Sequence, residues 1–305
     1  MAILELNKVN KGFGSLAVVK DLSFSVDEHA VFGFLGKNGA GKTTTMKMIL
    51  GFLQSDSGEI RVCNEKVTYG NAKTNRYIGY LPDVPEFYGY MTPKEYLRLC
   101  GNITGLKGEL LQSRIGEMLR LVGLEESNRR IRGFSRGMKQ RLGIAQALLN
   151  EPRLLICDEP TSALDPVGRK EILDILALAK ERTTVVFSTH ILSDVERICD
   201  SVGILNQGSL ALEGKVADIK NNYRKDVIQI ELGAGYPVEA FLMKLKEESF
   251  VAGINNHEAC IDIQFSGGEA EAHHILELLA KEQVPLLRYE LLEPSLENVF
   301  LEVVQ

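Results

Sequence analysis

Cysteine is scarce in this sequence and does not occur in pairs. The five cysteines, Cys63, Cys100, Cys157, Cys199 and Cys260, are odd in number and widely spaced, without a Cys-x-x-Cys pair. A disulfide framework or zinc site is therefore not expected, and reduced thiols are. No apolar run approaches the roughly 18 residues that a membrane span needs. The first residues, Met1 to Lys8, hold no basic segment followed by an apolar one, so no secretory signal is expected. An excess of positive charge is also lacking: 35 basic against 41 acidic residues leave a net charge of −6. That gives no global drive toward nucleic acid. Internal repeats and low-complexity stretches are absent too. These absences point to a soluble intracellular protein.

What is present is ordinary globular composition, 45% hydrophobic and 25% charged over 305 residues, a length that suggests two domains. Short apolar runs end in polar or glycine residues and give way to helical patterns. Ala30–Leu35 runs into a glycine-rich turn and then a helix over Thr43–Leu50. Leu154–Cys157 runs into Asp158-Glu159-Pro160, with a helix over Pro166–Ala179 to follow. Thr184–Phe187 runs into Ser188-Thr189-His190, and Ser193–Glu196 reads as a capping-box start of another helix. Continuous apolar strands alternating with helices predict an α/β fold with a parallel sheet covered on both faces. Ligands of such sheets sit beyond the carboxyl ends of the strands, where Gly36, Asp158, Glu159 and His190 all fall.

Residues 85–149 break the alternation with helices over Pro93–Cys100, Glu109–Leu121 and Met138–Leu149, read as a helical insertion. A second unit begins after Asn222. It reads as strand Val227–Leu232, helix Pro237–Leu245, a hairpin of Phe250–Ile254 and Ala259–Phe265 around Asn255–His257, helix Ala270–Lys281, strand Leu286–Leu291 and helix Ser295–Val303. That order is the small α+β ferredoxin-like pattern. The expected domains are thus 1–222 and 226–305.

The stretch Gly36-Lys-Asn-Gly-Ala-Gly-Lys42-Thr43 matches the phosphate-loop pattern G-x-x-x-x-G-K-[ST] at every fixed position. Its glycines let backbone amides point at phosphate oxygens, and the following helix adds its positive end. Lys42 can neutralise charge on the outer phosphates, and the Thr43 hydroxyl can ligate Mg²⁺. The bland alternative is a glycine-rich turn, but strand and helix flank the stretch as the motif requires. Asp158 at a strand tip is placed to hold Mg²⁺ through water, and Glu159 to deprotonate an attacking water. Alone, the pair could be a solvated strand end. Ser135 reads as an N-cap whose hydroxyl, with the Gly137 amide, could face an anion. Asp165 before Pro166 reads equally well as a plain cap. His190 by itself is weak, and the adjacent His273 and His274 point about 100° apart on a helix, a poor chelate.

Taken in order, the phosphate loop, the Ser135-Arg-Gly137 helix start, the Asp158-Glu159 strand end, Ser162–Asp165 and His190 form one series. Over residues 3–220 the sequence resembles the ATP-binding subunit of an ABC transporter, of the separate-chain type that serves export permeases. The C-terminal unit, ending Pro294-Ser-Leu-Glu-Asn-Val-Phe-Leu, resembles the accessory domain of those ATPases. The resemblance implies a P-loop NTPase core of the ABC type with a helical subdomain, ATP and Mg²⁺ as ligands, and ATP hydrolysis. It implies that Phe13 stacks on adenine and that Gly36, Lys37, Asn38, Gly39, Ala40, Gly41, Lys42, Thr43 and Thr44 form the Walker A loop. Asp158 becomes the Mg²⁺ carboxylate, Glu159 the catalytic base and His190 the switch histidine at the γ-phosphate. Ser135 and Gly137 become the signature residues and Asp165 the D-loop aspartate. The implied partners are a membrane permease and a second ATPase subunit, identical or not, in a head-to-tail dimer at the cytoplasmic face of the membrane, without nucleic acid. Two positions depart from the family's common residues. Asp83 stands where glutamine is usual and is expected to reach Mg²⁺ through a water. Arg136 lies inside the signature, where it is expected near the neighbour's γ-phosphate. Chromosome-acting members of the family need long coiled coils, which 305 residues of this composition cannot hold, and ribosome-acting members usually carry two cassettes, whereas one phosphate loop is present here. A P-loop kinase gives no reason for the Ser135–Gly137 helix start or for His190.

Overall fold

The structure, a computed structural model, describes residues 2–222, 226–233, 238–257, 260–292 and 295–304. They fall into two compact units, Met1–Val216 with Phe300–Gln305, and Ala217–Val299. The division at Val216/Ala217 lies ahead of the 222 limit expected from sequence. Elements of the first unit are β1 (Ala2–Phe13), β2 (Leu16–Asp27), β3 (Val31–Gly36), α1 (Lys42–Ile49), β4 (Ser57–Val62), β5 (Glu65–Lys66), β6 (Ile78–Leu81), α2 (Pro93–Ile103), α3 (Gly108–Leu121), α4 (Arg136–Leu148), β7 (Leu154–Asp158), α5 (Pro166–Ala179), β8 (Thr184–Thr189), α6 (Leu192–Ile198), β9 (Ser201–Asn206) and β10 (Ser209–Lys215). Helix α7 (Val216–Asn222) follows.

A six-stranded sheet in the order β10-β9-β3-β8-β7-β6 carries the site. Only β10 runs antiparallel to its neighbour. Every residue of β3, β7 and β8 is buried, which is why these strands read as unbroken apolar runs. Alternate side chains enter two cores. Val31, Leu155, Val185 and Phe187 pack with the helical insertion and α5. Phe32, Phe34, Ile156 and Val186 pack with α1 and a second sheet. Sequence reading missed that second, antiparallel sheet, ordered β2-β1-β4-β5. Its Phe24 stacks on Phe32 at 5.2 Å between ring centroids.

Parallel register brings the strand ends to one edge. Leu35 pairs with Thr189, Asp158 with Ser188, and Leu81 with Cys157. The insertion helices have local causes. Thr92 and Glu95 form a reciprocal capping box ahead of Pro93 in α2. Ser135 caps α4 through Met138 N–H, and Asp165 caps α5 through Gly168 N–H. The capping box expected at Ser193 does not form. Helix α6 starts from Ile191, and the Ser193 hydroxyl, already inside the helix, accepts from Arg169 Nη2 at 2.6 Å.

The second unit contains β11 (Asp226–Leu232), α8 (Val238–Glu247), β12 (Val251–His257), β13 (Cys260–Phe265), α9 (Glu269–Lys281) and β14 (Leu286–Leu292), with α10 (Leu296–Val304) running across the 299/300 division. Its antiparallel sheet, ordered β12-β13-β11-β14, is ferredoxin-like. Ile228, Ile230, Ile261 and Ile263 pack beneath Phe241, Leu245 and Ile275 of α8 and α9. Asn255, Asn256 and His257, expected as a turn, belong instead to β12 and pair with Asp262, Ile261 and Cys260. Pro237, Ala259 and Pro294 lie outside the described residues.

Candidate functional site

The loop from β3 to α1 is shaped by glycine. Gly41 has φ +110°, and a Cβ there would stand 2.9 Å from the Val18 carbonyl oxygen. At Gly36 a Cβ would stand 2.7 Å from the Leu205 carbonyl oxygen. Both positions demand glycine. Gly41 is also the N-cap of α1 and offers no side-chain cap, so the first-turn amides have no partner within the helix. Lys42, the first helical residue, is only 6% exposed. Its Nζ donates to the Gly36 carbonyl at 2.7 Å and lies 3.2 Å from Glu159 Oε1.

Across the cleft, Asp158 Oδ1 accepts from Thr43 Oγ1 at 3.1 Å and from Ser188 Oγ at 2.7 Å. The Glu159 backbone N–H donates to that same Ser188 hydroxyl at 2.9 Å. Glu159 has φ +47°, a strained conformation for a non-glycine residue. Its Oε2 lies 2.9 Å from His190 Nδ1. One carboxylate thus touches both the phosphate-loop lysine and the strand-end histidine. A cavity of about 520 Å³ opens here, lined by Asn38, Gly39, Gly41, Lys42, Thr43, Thr44, Asp83, Glu159 and His190, with Leu16, Val18 and Ser162.

Not every expected residue lines that cavity. Phe13, 51% exposed, ends β1 and pairs with Leu16 across the hairpin; Leu16 is the one that lines the cavity. Ser135 and Gly137 stand at the start of α4, outside it, and Asp165 caps α5. Asp83, just beyond β6, lines the cavity, but its Oδ1 pairs with Arg136 Nη2 at 3.3 Å. Arg136, expected to face a neighbouring subunit, is thus engaged by its own chain. Burial raises the Asp83 carboxyl above the usual carboxylate range; Arg136 opposes this, while Asp158 and Glu159 reinforce it. Burial, with the charge of Asp158 behind it, likewise pushes the Tyr80 phenol up to about 12, so it stays neutral.

Two groups escaped sequence reading. Ser188 links Asp158 to Glu159, and only the β7–β8 register shows that it would. Asp194, fully buried, accepts from Thr161 Oγ1 at 2.7 Å and pairs with Arg169. It ties the segment after Glu159 to α6.

A glycine-shaped loop at a helix start, its buried lysine, and a hydroxyl set on the aspartate of a neighbouring strand are the parts of a phosphate-loop nucleotide site. Residues 19–162 match the ABC transporter family, and residues 214–304 match the C-terminal domain of DrrA1-3-like ATP-binding proteins. The chain is 39% identical to the uncharacterized ABC transporter ATP-binding protein YxlF of Bacillus subtilis, over 99% of each chain. It is 36% identical to the bacitracin transport ATP-binding protein BcrA of Bacillus licheniformis, over 99% of this chain and 97% of that one. Among solved structures it is similar to the ATP-binding cassette MJ0796, a dimer in a post-hydrolysis state with ADP and Pi. That likeness has a TM-score of 0.63 and 25% identity, over 70% of this chain and 98% of that one. The chain belongs to the ABC transporter ATP-binding proteins: it is a nucleotide-binding, ATP-hydrolysing transporter subunit. Subunits of this family dimerise and work with a transmembrane permease.

Proposed function

We propose that Glu159 is the general base of ATP hydrolysis, that Mg²⁺ joins the nucleotide at Thr43 and Asp158, and that two subunits complete each site while energising export through a separate permease. The observation that carries this reading is the placement of Glu159 between Lys42 and His190, beside a loop whose Gly36 and Gly41 leave no room for a side chain. Lys42 contacts the loop carbonyl and Glu159; outer phosphates would compete for its ammonium, leaving Glu159 Oε1 to accept a proton from water. His190 fixes the other oxygen. Ser188 and Thr43 orient Asp158, and together they offer hard oxygen donors that fit a small divalent cation. Bound there, Mg²⁺ would stabilise charge on the phosphates as a Lewis acid. Among the described residues no three His, Cys, Asp or Glu side chains form a metal site of their own, which suits an ion shared with phosphate. Asp83, whose Oδ1 pairs with Arg136, would join this set through its second carboxylate oxygen.

Ser135 and Gly137 supply the reason for a dimer, since they lie outside the cavity of their own chain yet form a helix start suited to an anion. The segment after Asp83 and the start of α4 bound a groove of about 450 Å³, lined by Val84, Pro85, Phe87, Ile131 and Arg132. Exposed Val84, Tyr88 and Tyr90 nearby suit a permease surface, which would hold the subunit at the cytoplasmic face of the membrane. No helix among the described residues is long and apolar enough to cross a membrane. Residues 1–222 form the ATPase domain in this reading, and 226–305 an accessory domain for dimer contacts or regulation. The test is Glu159→Gln, which keeps size and polarity but removes the proton acceptor. Turnover is expected to fall by about 10²–10⁴-fold while ATP still binds; near-normal turnover of pure protein would refute the assignment.

A further inference from the structure

The hairpin that carries Phe13 is gripped from outside by Asp56. One oxygen of this carboxylate accepts from the Gly12 backbone N–H at 2.7 Å, and the other pairs with Lys11 Nζ at 2.7 Å. The Asp56 backbone N–H donates to the Asn10 carbonyl at 2.9 Å, so the residue is fixed to the strand it holds. Lys11 Nζ stands 5.4 Å from the centroid of the Phe13 ring. The Lys11 side chain is only 13% exposed, unusual for a residue that ordinarily extends into water. The ammonium is thus kept over the aromatic π system, an attractive placement, while half of Phe13 stays open. The β1–β2 ladder is irregular just before this point, its register shifting between Val9 and Lys11 and again between Lys11 and Gly12, so Asp56 adds a hold on the strand where the ladder is broken. Leu16, opposite Phe13, lines the nucleotide cavity.

We infer that Asp56 is a positioning residue for recognition of the nucleotide base: by clamping Lys11 and Gly12 it holds the Phe13 ring, backed by the ammonium, in place to stack on a purine. This rests on the reading of Phe13 as the base-stacking aromatic. Fixing the ring beforehand removes the ordering cost from the binding step. The alternative, a simple charge effect, has the opposite sign. Loss of Asp56 would leave Lys11 unpaired and strengthen attraction for any polyphosphate.

The experiment compares calorimetric affinities of the full chain for ADP, the product of ATP hydrolysis, and for inorganic pyrophosphate, which has no base. Aromatic stacking of ordinary strength corresponds to about threefold to tenfold in affinity. Asp56→Asn is expected to weaken ADP binding by that factor and leave pyrophosphate binding undiminished. Phe13→Ala should do the same. Phe13→Trp supplies the chain's sole tryptophan, whose emission should become more accessible to acrylamide when Asp56→Asn is added. If Phe13→Ala does not separate ADP from pyrophosphate, the stacking reading falls and the inference with it. If Phe13→Ala separates them but Asp56→Asn binds ADP normally, or weakens both ligands equally, the role of Asp56 alone is overturned.

Discussion

Helices α1 and α4 begin alike and are used differently. Each carries a basic residue at its first helical position, and each cation is paired with a carboxylate, Lys42 with Glu159 at 3.2 Å and Arg136 with Asp83 at 3.3 Å. At α1 the lysine is buried, and the N-cap is a glycine with no side chain to cap the amides of the first turn. At α4 the arginine is 43% exposed, and the Ser135 oxygen already accepts from Met138 N–H. The serine hydroxyl still has its own proton to donate. A helix start that its chain leaves uncapped, with a buried lysine and a glycine-shaped loop beside it, suits a phosphate within its own chain. One that is capped by its own serine and half exposed leaves that hydroxyl's proton at the surface, where a second subunit could use it.

That contrast can be broken at either helix. In the Glu159→Gln background, Mg·ATP is expected to produce a dimer on a sizing column, because a ligand that binds only the closed state shifts the population toward it. Adding Ser135→Arg puts bulk and charge at the α4 start and is expected to return the protein to monomer. A dimer that survives Ser135→Arg would remove α4 from the shared site. At α1, Lys42→Ala removes a charge-assisted donor and should lower ATP affinity about 10–100-fold in a direct titration, whereas Arg136→Ala in the isolated subunit should not. Equal losses for the two substitutions would erase the distinction. Ser188→Ala probes the strand edge behind α1. It leaves the Glu159 N–H without its acceptor and a buried Asp158 oxygen with one donor fewer, so denaturant unfolding should show a loss of about 1–3 kcal/mol.

The phosphate loop and the Asp158-Glu159 strand end were legible because both are local. Fixed spacing on a strand–loop–helix carries the chemistry, and full burial of β3, β7 and β8 leaves its trace as unbroken apolar runs. The Ser135 and Asp165 caps were legible for the same reason. What stayed hidden depends on partners distant in sequence. Leu22–Asp27 of β2 does alternate buried with exposed residues, the period of a half-buried strand, but β1 loses that period at its register shifts, and its pairing with β4, which makes the sheet, joins residues more than 40 positions apart. Ser188 is one of many strand-end hydroxyls until its register with Asp158 is known. The Ser193 capping box failed because tertiary structure overrode a local motif: Arg169, from α5, takes the hydroxyl. Arg136 could be placed at the signature by resemblance, but its pairing with Asp83 needs the end of β6 brought against α4.

The smallest effect concerns that pairing and has a definite sign. Burial, reinforced by Asp158 and Glu159, makes the folded protein hold the Asp83 proton to higher pH than the unfolded chain does, in spite of Arg136. The native state therefore binds more protons than the unfolded state over the interval from the ordinary aspartate range up to the raised value. Stability falls as pH rises through that interval, and the penalty is complete above it. Arg136→Gln removes the opposing charge, so the interval should extend further upward. Asp83→Asn removes the titration, and with it this part of the slope. Both side chains are about half exposed, so solvent screening keeps the pair weak. A double-mutant cycle should give a coupling of about 0.2–1 kcal/mol. Unfolding curves at several pH values for the wild type, Asp83→Asn, Arg136→Gln and the double variant measure both quantities. If Arg136→Gln leaves the pH slope unchanged, Arg136 does not compensate Asp83, and the resemblance between the α1 and α4 starts reduces to their positions.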